Sequence, residues 1–435
     1  MEIKRPQYLD RLVEKIENGM IKIVTGMRRS GKTYLLNNLF SDYLMSQGVS
    51  NSNIIKIPLD NFEFRKFRDP ETLYSYVKNS LDSHNMNYVI IDEIQMVAEF
   101  QDVLNGLNSL PNTDIYVTGS NAKLLSKDIV TEFRGRGDEI KIYPLNFAEY
   151  MSVSSLSPSK GFDEFMLFGS LPQIIQRRNE EQKVGFLKSI LLETYVRDIS
   201  DRHHPKNEND LTELLAVVAS SVGSLTNPTN LTNTFNSVKR SKLTYNTIKS
   251  YIAYFQDSFL IENAKRFDIK GKRFIDTPSK YYFSDLGIRN AVLNFSQMDY
   301  GHQLENVIYN ELRVRGFNID VGMVSMRKNE ESGKMSRTNL EVDFVCNLGN
   351  KRYYIQSAYN LHNEDKIKQE ENSLRHIGDS YKKIIITHED IHVRRTDSGI
   401  TYMNIYYFLL INFKKCCTKS HFVLIIKMSL RLFLI

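Results

Sequence analysis

Residues 21–33 constrain this chain more than any other stretch: Ile-Lys-Ile-Val-Thr-Gly-Met-Arg-Arg-Ser-Gly-Lys-Thr, a short β-branched run that breaks into a loop bounded by two glycines. The spacing Gly26-x-x-x-x-Gly31-Lys32-Thr33 meets the phosphate-binding loop signature, and the helical pattern Tyr34-Leu35-Leu36-x-x-Leu39-Phe40 follows it as that signature requires. Gly26 and Gly31 let the backbone turn successive N–H groups onto phosphate oxygens, and the start of the next helix adds positive potential. Gly26, Arg29, Ser30, Gly31, Lys32 and Thr33 are therefore candidate nucleotide-binding residues. Lys32 would reach the β and γ phosphates, and the Thr33 hydroxyl would hold Mg²⁺. The competing reading is a chance glycine turn between a strand and a helix.

A second stretch weakens that competitor. Tyr88-Val89-Ile90-Ile91-Asp92-Glu93 reads as a buried parallel strand that delivers two acids at its C-terminal end. Asp92 is then a second candidate Mg²⁺ ligand, and Glu93 the group that polarises a water for in-line attack on the γ phosphate. Acidic pairs are common at exposed strand ends, so the weight lies in the two motifs together. Further strands read at 54–59, 115–118 and 139–143, with a helix pattern over 70–81. Strands alternating with helices predict an α/β fold with a parallel sheet and its ligand at the strand ends. The fourth strand runs into Ser120 and Asn121, either of which could sense the γ phosphate; both types also cap helices, and a helical pattern follows. In Phe133-Arg134-Gly135-Arg136-Gly137, Arg134 and Arg136 are candidates to stabilise charge on the γ phosphate, in cis or from a neighbouring subunit. A solvated basic turn is the equal alternative.

At 435 residues the chain exceeds what one hydrophobic core usually serves, so two or three domains are expected. A hydrophobic share of 41% with 25% charged residues is that of a soluble globular protein, and the net charge of +6 permits nucleic acid as a partner without arguing for it. Cys346, Cys416 and Cys417 form neither a disulfide framework nor a zinc pattern, and the N-terminus lacks the apolar core of a signal peptide. A cytoplasmic protein is expected. The apolar stretch from His421 to Ile435 carries Lys427 and Arg431 and falls short of the roughly twenty residues needed to span a bilayer, so no membrane span is expected.

Taken in order, several stretches resemble one family, the prokaryotic AAA-type ATPases with a C-terminal region of unknown function, DUF4143. They are the loop at 25–33, Ile-Asp-Glu-Ile-Gln at 91–95, Thr-Gly-Ser-Asn-Ala at 118–122, Phe-Arg-Gly-Arg at 133–136, Pro-Leu-Asn-Phe-Ala-Glu-Tyr at 144–150, Tyr-Val-Arg-Asp-Ile at 195–199 and Tyr-Tyr-Phe-Ser-Asp-Leu-Gly-Ile-Arg-Asn at 281–290. The resemblance covers residues 1 to about 410. It implies ATP and Mg²⁺ as cofactors and a P-loop NTPase parallel sheet over 1–151. It also implies a helical lid over 162–205 that closes on nucleotide.

From 206 to 280 the pattern is winged-helix-like. A helix buries Ile248, Tyr251, Ile252 and Phe255, and the stretches 259–261 and 266–273 read as two strands of a basic wing. Such a unit grips DNA or contacts other domains, and Asn246, Lys249 and Ser250 lack the arginine-rich face of a strong reader. The region 281–411 contains Glu305 on a helix, Glu341 and Asp343 on one strand, and Gln356 and Ala358 on the next, which resembles a restriction-endonuclease-like core. Gln356 and Ala358 stand where cutting needs an acid and a lysine, so nuclease activity is not expected. Residues 412–435 form an atypical tail that departs from the family pattern. The expected function is an ATPase that drives a DNA or protein partner, with homo-oligomers possible. The alternatives are a nucleic-acid-processing defence protein with a degenerate nuclease-like domain and a nucleotide-gated binding module.

Overall fold

The structure, a computed structural model, describes residues 2–120, 135–238, 242–329 and 335–410, with the backbone alone at 276, 277, 327–329 and 335–337. Asn121, Arg134 and the tail from 412 fall outside the described residues. Among the described residues two sheets organise the chain.

The first sheet has five parallel strands: β1 (Ile21–Gly26), β2 (Ile54–Pro58), β3 (Asn87–Asp92), β4 (Thr113–Gly119) and β5 (Gly137–Ile142), in the order β2-β3-β4-β1-β5. Every residue of β1 and β3 is buried. Apolar side chains pack on both faces of the sheet, against separate clusters around Val103 and Leu107 on one side and Leu36 and Phe40 on the other. That two-sided burial is why these strands read as continuous apolar runs instead of alternating ones. The order places β4 between the loop strand and the acidic strand. The ends of β1, β4 and β3 therefore lie side by side at one edge, where an open α/β sheet holds its ligand.

A buried arginine ties the N-terminus to that edge. Arg5 precedes the helix Pro6–Val13 and is 3% exposed. Its guanidinium donates to Glu149 Oε1 (3.2 Å) and Oε2 (3.1 Å), to the Ser30 carbonyl (2.7 Å) and to the Tyr143 carbonyl (2.9 Å). Glu149 in turn closes a capping box with Asn146 at the start of the helix Phe147–Met151. One planar fork thus fixes the phosphate loop against the segment leaving β5.

Beyond residue 151, helices Pro158–Phe168, Glu180–Ser189 and Arg197–His203 lead to Glu208–Ser220, Pro228–Val238 and Tyr245–Asp257. Ile248, Tyr251, Ile252 and Phe255 are buried, as their spacing predicts. The expected wing differs. β6 (Ile261–Asp268) and β7 (Arg273–Phe283) form a longer hairpin, with 269–272 as its turn. No break occurs at 262–265, because Ala264 is fully buried there and Glu262 is held by Lys141 and Arg313, while Lys265 is exposed. Nor is the hairpin free: β6 pairs in parallel with β8 (Asn318–Asn329), which leaves β7 as one edge of an eight-stranded sheet. The rest is β9 (Met335–Leu348), β10 (Lys351–Ala358), β11 (Lys382–Thr387), β12 (Arg394–Arg395) and β13 (Ile400–Asn404), in the order β12-β13-β11-β10-β9-β8-β6-β7. A boundary at 280 would cut β7. One continuous core runs from Phe147 and Phe162 through Leu214 and Phe255 to Ile308, Phe344 and Met403.

Arg5→Ala would leave the Glu149 carboxylate buried without its cation, which costs about 3–5 kcal/mol in comparable pairs. Urea denaturation should show a loss of that size; a loss below about 1 kcal/mol would show that the clamp is dispensable.

Candidate nucleotide site

The loop between β1 and the helix that begins at Lys32 is shaped by its glycines. Gly26 pairs with Ile142 of β5 and has φ +141°; a Cβ there would lie 2.1 Å from the Ile142 carbonyl oxygen. Gly31 has φ +98°, and Arg29 takes a left-handed conformation at φ +64°. Lys32 is 5% exposed, and its ammonium donates to the Gly26 (3.0 Å) and Met27 (3.1 Å) carbonyls. Burial pulls its pKa down, while Glu93 and Asp92 pull the other way. The Ser30 hydroxyl is buried with no hydrogen-bond partner among the described residues. Arg29 is exposed beside it.

Asp92, at the end of β3, is 3% exposed. Its Oδ2 accepts from the Thr33 hydroxyl (2.8 Å), and its Oδ1 accepts from the Thr118 hydroxyl at the end of β4. Burial raises its pKa, and the two hydroxyls oppose that rise. Glu93 sits at φ +57°, a conformation fixed in part by its N–H donating to Thr118 Oγ1 (2.9 Å). Its Oε2 accepts from Ser120 Oγ (3.2 Å) and from the Gln95 amide. The structure therefore brings Lys32, Thr33, Asp92, Glu93 and Ser120 to one edge. An adjacent hydroxyl and carboxylate are the hard oxygen donors Mg²⁺ takes when substrate phosphates complete its shell. The orphaned Ser30 hydroxyl and the loop N–H groups fit a phosphate.

Arg136 does not join them. It is exposed, and its carbonyl accepts from the Ile21 N–H at the start of β1, the opposite edge of the sheet from Gly26. Five steps along β1 separate Ile21 from Gly26, roughly 17 Å at strand rise, so within this chain Arg136 lies away from the loop. Asn121 and Arg134 lie outside the described residues.

Several groups escaped the sequence reading. Thr118 bridges Asp92 and the Glu93 backbone, and only the strand order reveals that. Gln95 stood two residues from Glu93 in a motif already noted. Tyr195 donates to the Arg28 carbonyl (2.9 Å), and Asp198 lies 3.7 Å from the Arg28 guanidinium, which joins the helical segment to the loop. Their signal was the stretch at 195–199.

The second constellation also converges. Glu305 on the helix Tyr300–Val314 and Glu341 and Asp343 on β9 meet at one point, with the Asp343 N–H donating weakly to Gln356 Oε1 (3.4 Å). Ala358 is buried and brings no polar atom.

Because burial disfavours the Asp92 charge, Asp92→Asn should leave the nucleotide-free protein as stable as the parent or more so, while Mg²⁺-dependent stabilisation by ATP is lost. Differential scanning calorimetry with and without Mg·ATP tests both halves; a large drop in the nucleotide-free Tm would contradict the desolvation argument.

Residues 18–151 match an AAA domain, and residues 159–299 match a domain of unknown function, DUF8612. Over that second segment the match is to DUF8612 and not to the DUF4143 region the resemblance implied. An uncharacterized protein of Haemophilus influenzae is 33% identical over 391 residues, covering 88% of this chain and 93% of that protein. Uncharacterized protein MJ1544 of Methanocaldococcus jannaschii is 31% identical over 410 residues, covering 89% and 86%. Among solved structures, Aeropyrum pernix ORC1 in complex with DNA aligns over 68% of this chain and 93% of its own at TM-score 0.31 and 12% identity. Cdc6p from Pyrobaculum aerophilum aligns over 67% and 93% at TM-score 0.27 and 10% identity. The chain belongs to the family of the Haemophilus influenzae and Methanocaldococcus jannaschii proteins, and within it residues 18–151 form an AAA-type ATPase domain.

Proposed function

We propose that the chain binds ATP with Mg²⁺, hydrolyses it, and uses the cycle to move its C-terminal body against a partner. The observation that carries this is the Thr118 hydroxyl, which touches the Asp92 carboxylate and the Glu93 backbone together. It sets a candidate metal ligand and a candidate base side by side. In this reading Gly26, Arg29, Ser30, Gly31 and Lys32 enclose the phosphates, and Thr33 with Asp92 holds the ion. Bound Mg²⁺ would supply charge neutralisation at the β and γ phosphates. Glu93 orients the attacking water and takes its proton, with Ser120 and Gln95 fixing which carboxylate oxygen faces it. Ser120 or Asn121 contacts the γ phosphate. Arg136, placed at the far edge, would act on the site of a neighbouring subunit, as would Arg134, and this implies a homo-oligomer.

Coupling has a physical route. Tyr195 and Asp198 contact the loop through Arg28, and Lys141 of β5 pairs with Glu262 of β6 at 2.5 Å. A change at the phosphates would thus reach both the helical segment and the eight-stranded sheet.

A second reading, nucleic-acid binding by the C-terminal body, is favoured by the hairpin turn, where Lys270, Lys272 and Arg273 precede in sequence a Phe274 that is 62% exposed. Cations beside an exposed aromatic suit a nucleic-acid backbone and base. Gel assays on single- and double-stranded DNA with Mg²⁺ or Mn²⁺ separate binding from cutting, and an Asp343→Ala protein that still cuts would eliminate a nuclease role for that acid.

For the ATPase reading, Glu93→Gln should retain ATP and lower turnover by roughly 10²–10⁴-fold, the usual worth of a positioned base. Unchanged hydrolysis would rule out the assignment. Parent turnover no greater than that of Lys32→Ala would favour a nucleotide-gated binding module.

A further inference from the structure

The second constellation is filled from within. Lys280 of β7 is 3% exposed, and its ammonium lies 2.8 Å from Glu305 Oε1, 2.7 Å from Glu341 Oε1 and 3.3 Å from Asp343 Oδ1. The remaining contacts hold the acids in place. Tyr282 donates to Glu305 Oε1 (2.6 Å), and the Ser357 N–H donates to Asp343 Oδ2 (2.8 Å). Three acids converging from a helix and a strand are what a metal-dependent phosphodiesterase uses to hold a divalent ion. Here the point of convergence is taken by nitrogen.

The distances match that occupant. An ammonium has three N–H donors, and three carboxylates meet them at hydrogen-bond lengths, whereas Mg²⁺ draws oxygens in to about 2.0–2.1 Å. A divalent ion and the ammonium cannot share the point, because like charges at contact in a buried setting repel strongly. The ammonium also has an entropic advantage over a free ion, since it is tethered to β7 and pays no cost of capture. Gln356 and Ala358 add no charge that could restore a metal site beside it. Among the described residues no group of three or more His, Cys, Asp or Glu side chains is arranged to hold a metal ion.

We propose that Lys280 is a built-in replacement for the divalent cation of a nuclease-like core. Its side chain neutralises the carboxylates that a metal would otherwise bridge and pins β7 to the helix Tyr300–Val314 and to β9. The core thereby folds without metal, and nucleic acid held elsewhere on this body is not hydrolysed at these acids. This inference does not rest on the ATPase reading.

The test is Mn²⁺ binding by the nucleotide-free full chain, counted from the free-ion electron paramagnetic resonance signal. The parent and Asp343→Asn should bind the same number of ions. Lys280→Ala should bind one more per chain, and Lys280→Ala with Asp343→Asn should lose it again. A parent that holds an ion which Asp343→Asn removes would overturn the proposal, and so would a folded Lys280→Ala that gains none. Should Lys280→Ala unfold in metal-free buffer, circular dichroism decides: refolding on Mn²⁺ addition supports the replacement, and persistent unfolding in saturating Mn²⁺ overturns it.

Discussion

Asp92 is a carboxylate placed almost out of reach of water, and the rest of the nucleotide edge is arranged around making that tolerable. Burying a charge without partners is prohibitively costly, so the site supplies two hydroxyls, one from each neighbouring element. Thr33 comes from the first turn of the helix that follows the loop, and Thr118 from the end of β4. Thr118 reaches Asp92 because β4 pairs directly with β3. Because the hydroxyls only partly offset burial, the charge remains under tension, and a cation beside it would relieve that tension.

The same logic of buried charge answered by a specific partner recurs outward from the site. Arg5 satisfies Glu149 and at the same time holds the Ser30 carbonyl. Glu262 joins the two sheets: burial would raise its pKa, yet Lys141 and Arg313 draw it down to about 2. Ion pairs of this kind lock relative positions more than they add stability, since desolvation cancels much of their attraction. Three of them, at the loop, between the sheets and at Lys280, join separate elements of the chain.

Much of the first sheet was legible because its strands are short, apolar and punctuated by glycine or acid. Gly26, Lys32, Thr33, Asp92 and Glu93 were readable because the chemistry demands those types at those spacings. Thr118 and Gln95 were not singled out, since each is an ordinary polar residue whose role exists only once β3 and β4 are adjacent. Beyond residue 151 the pattern misled for a physical reason. The polar faces of Glu262, Asn263 and Lys265 mimic a turn, so β6 read as two fragments and its hairpin as a free wing. Lys280 was invisible for a different reason: its neighbours in space lie 25, 61 and 63 residues away in sequence.

In the proposed mechanism Lys32, Thr33 and Asp92 form one nucleotide site. Isothermal titration calorimetry of Mg·ATP into the hydrolysis-blocked Glu93→Gln protein tests it most directly. One ATP should bind per chain, with binding lost when Lys32→Ala is added to that background. Stoichiometric binding that survives the loss of Lys32, or no binding at all by a folded protein, would contradict it.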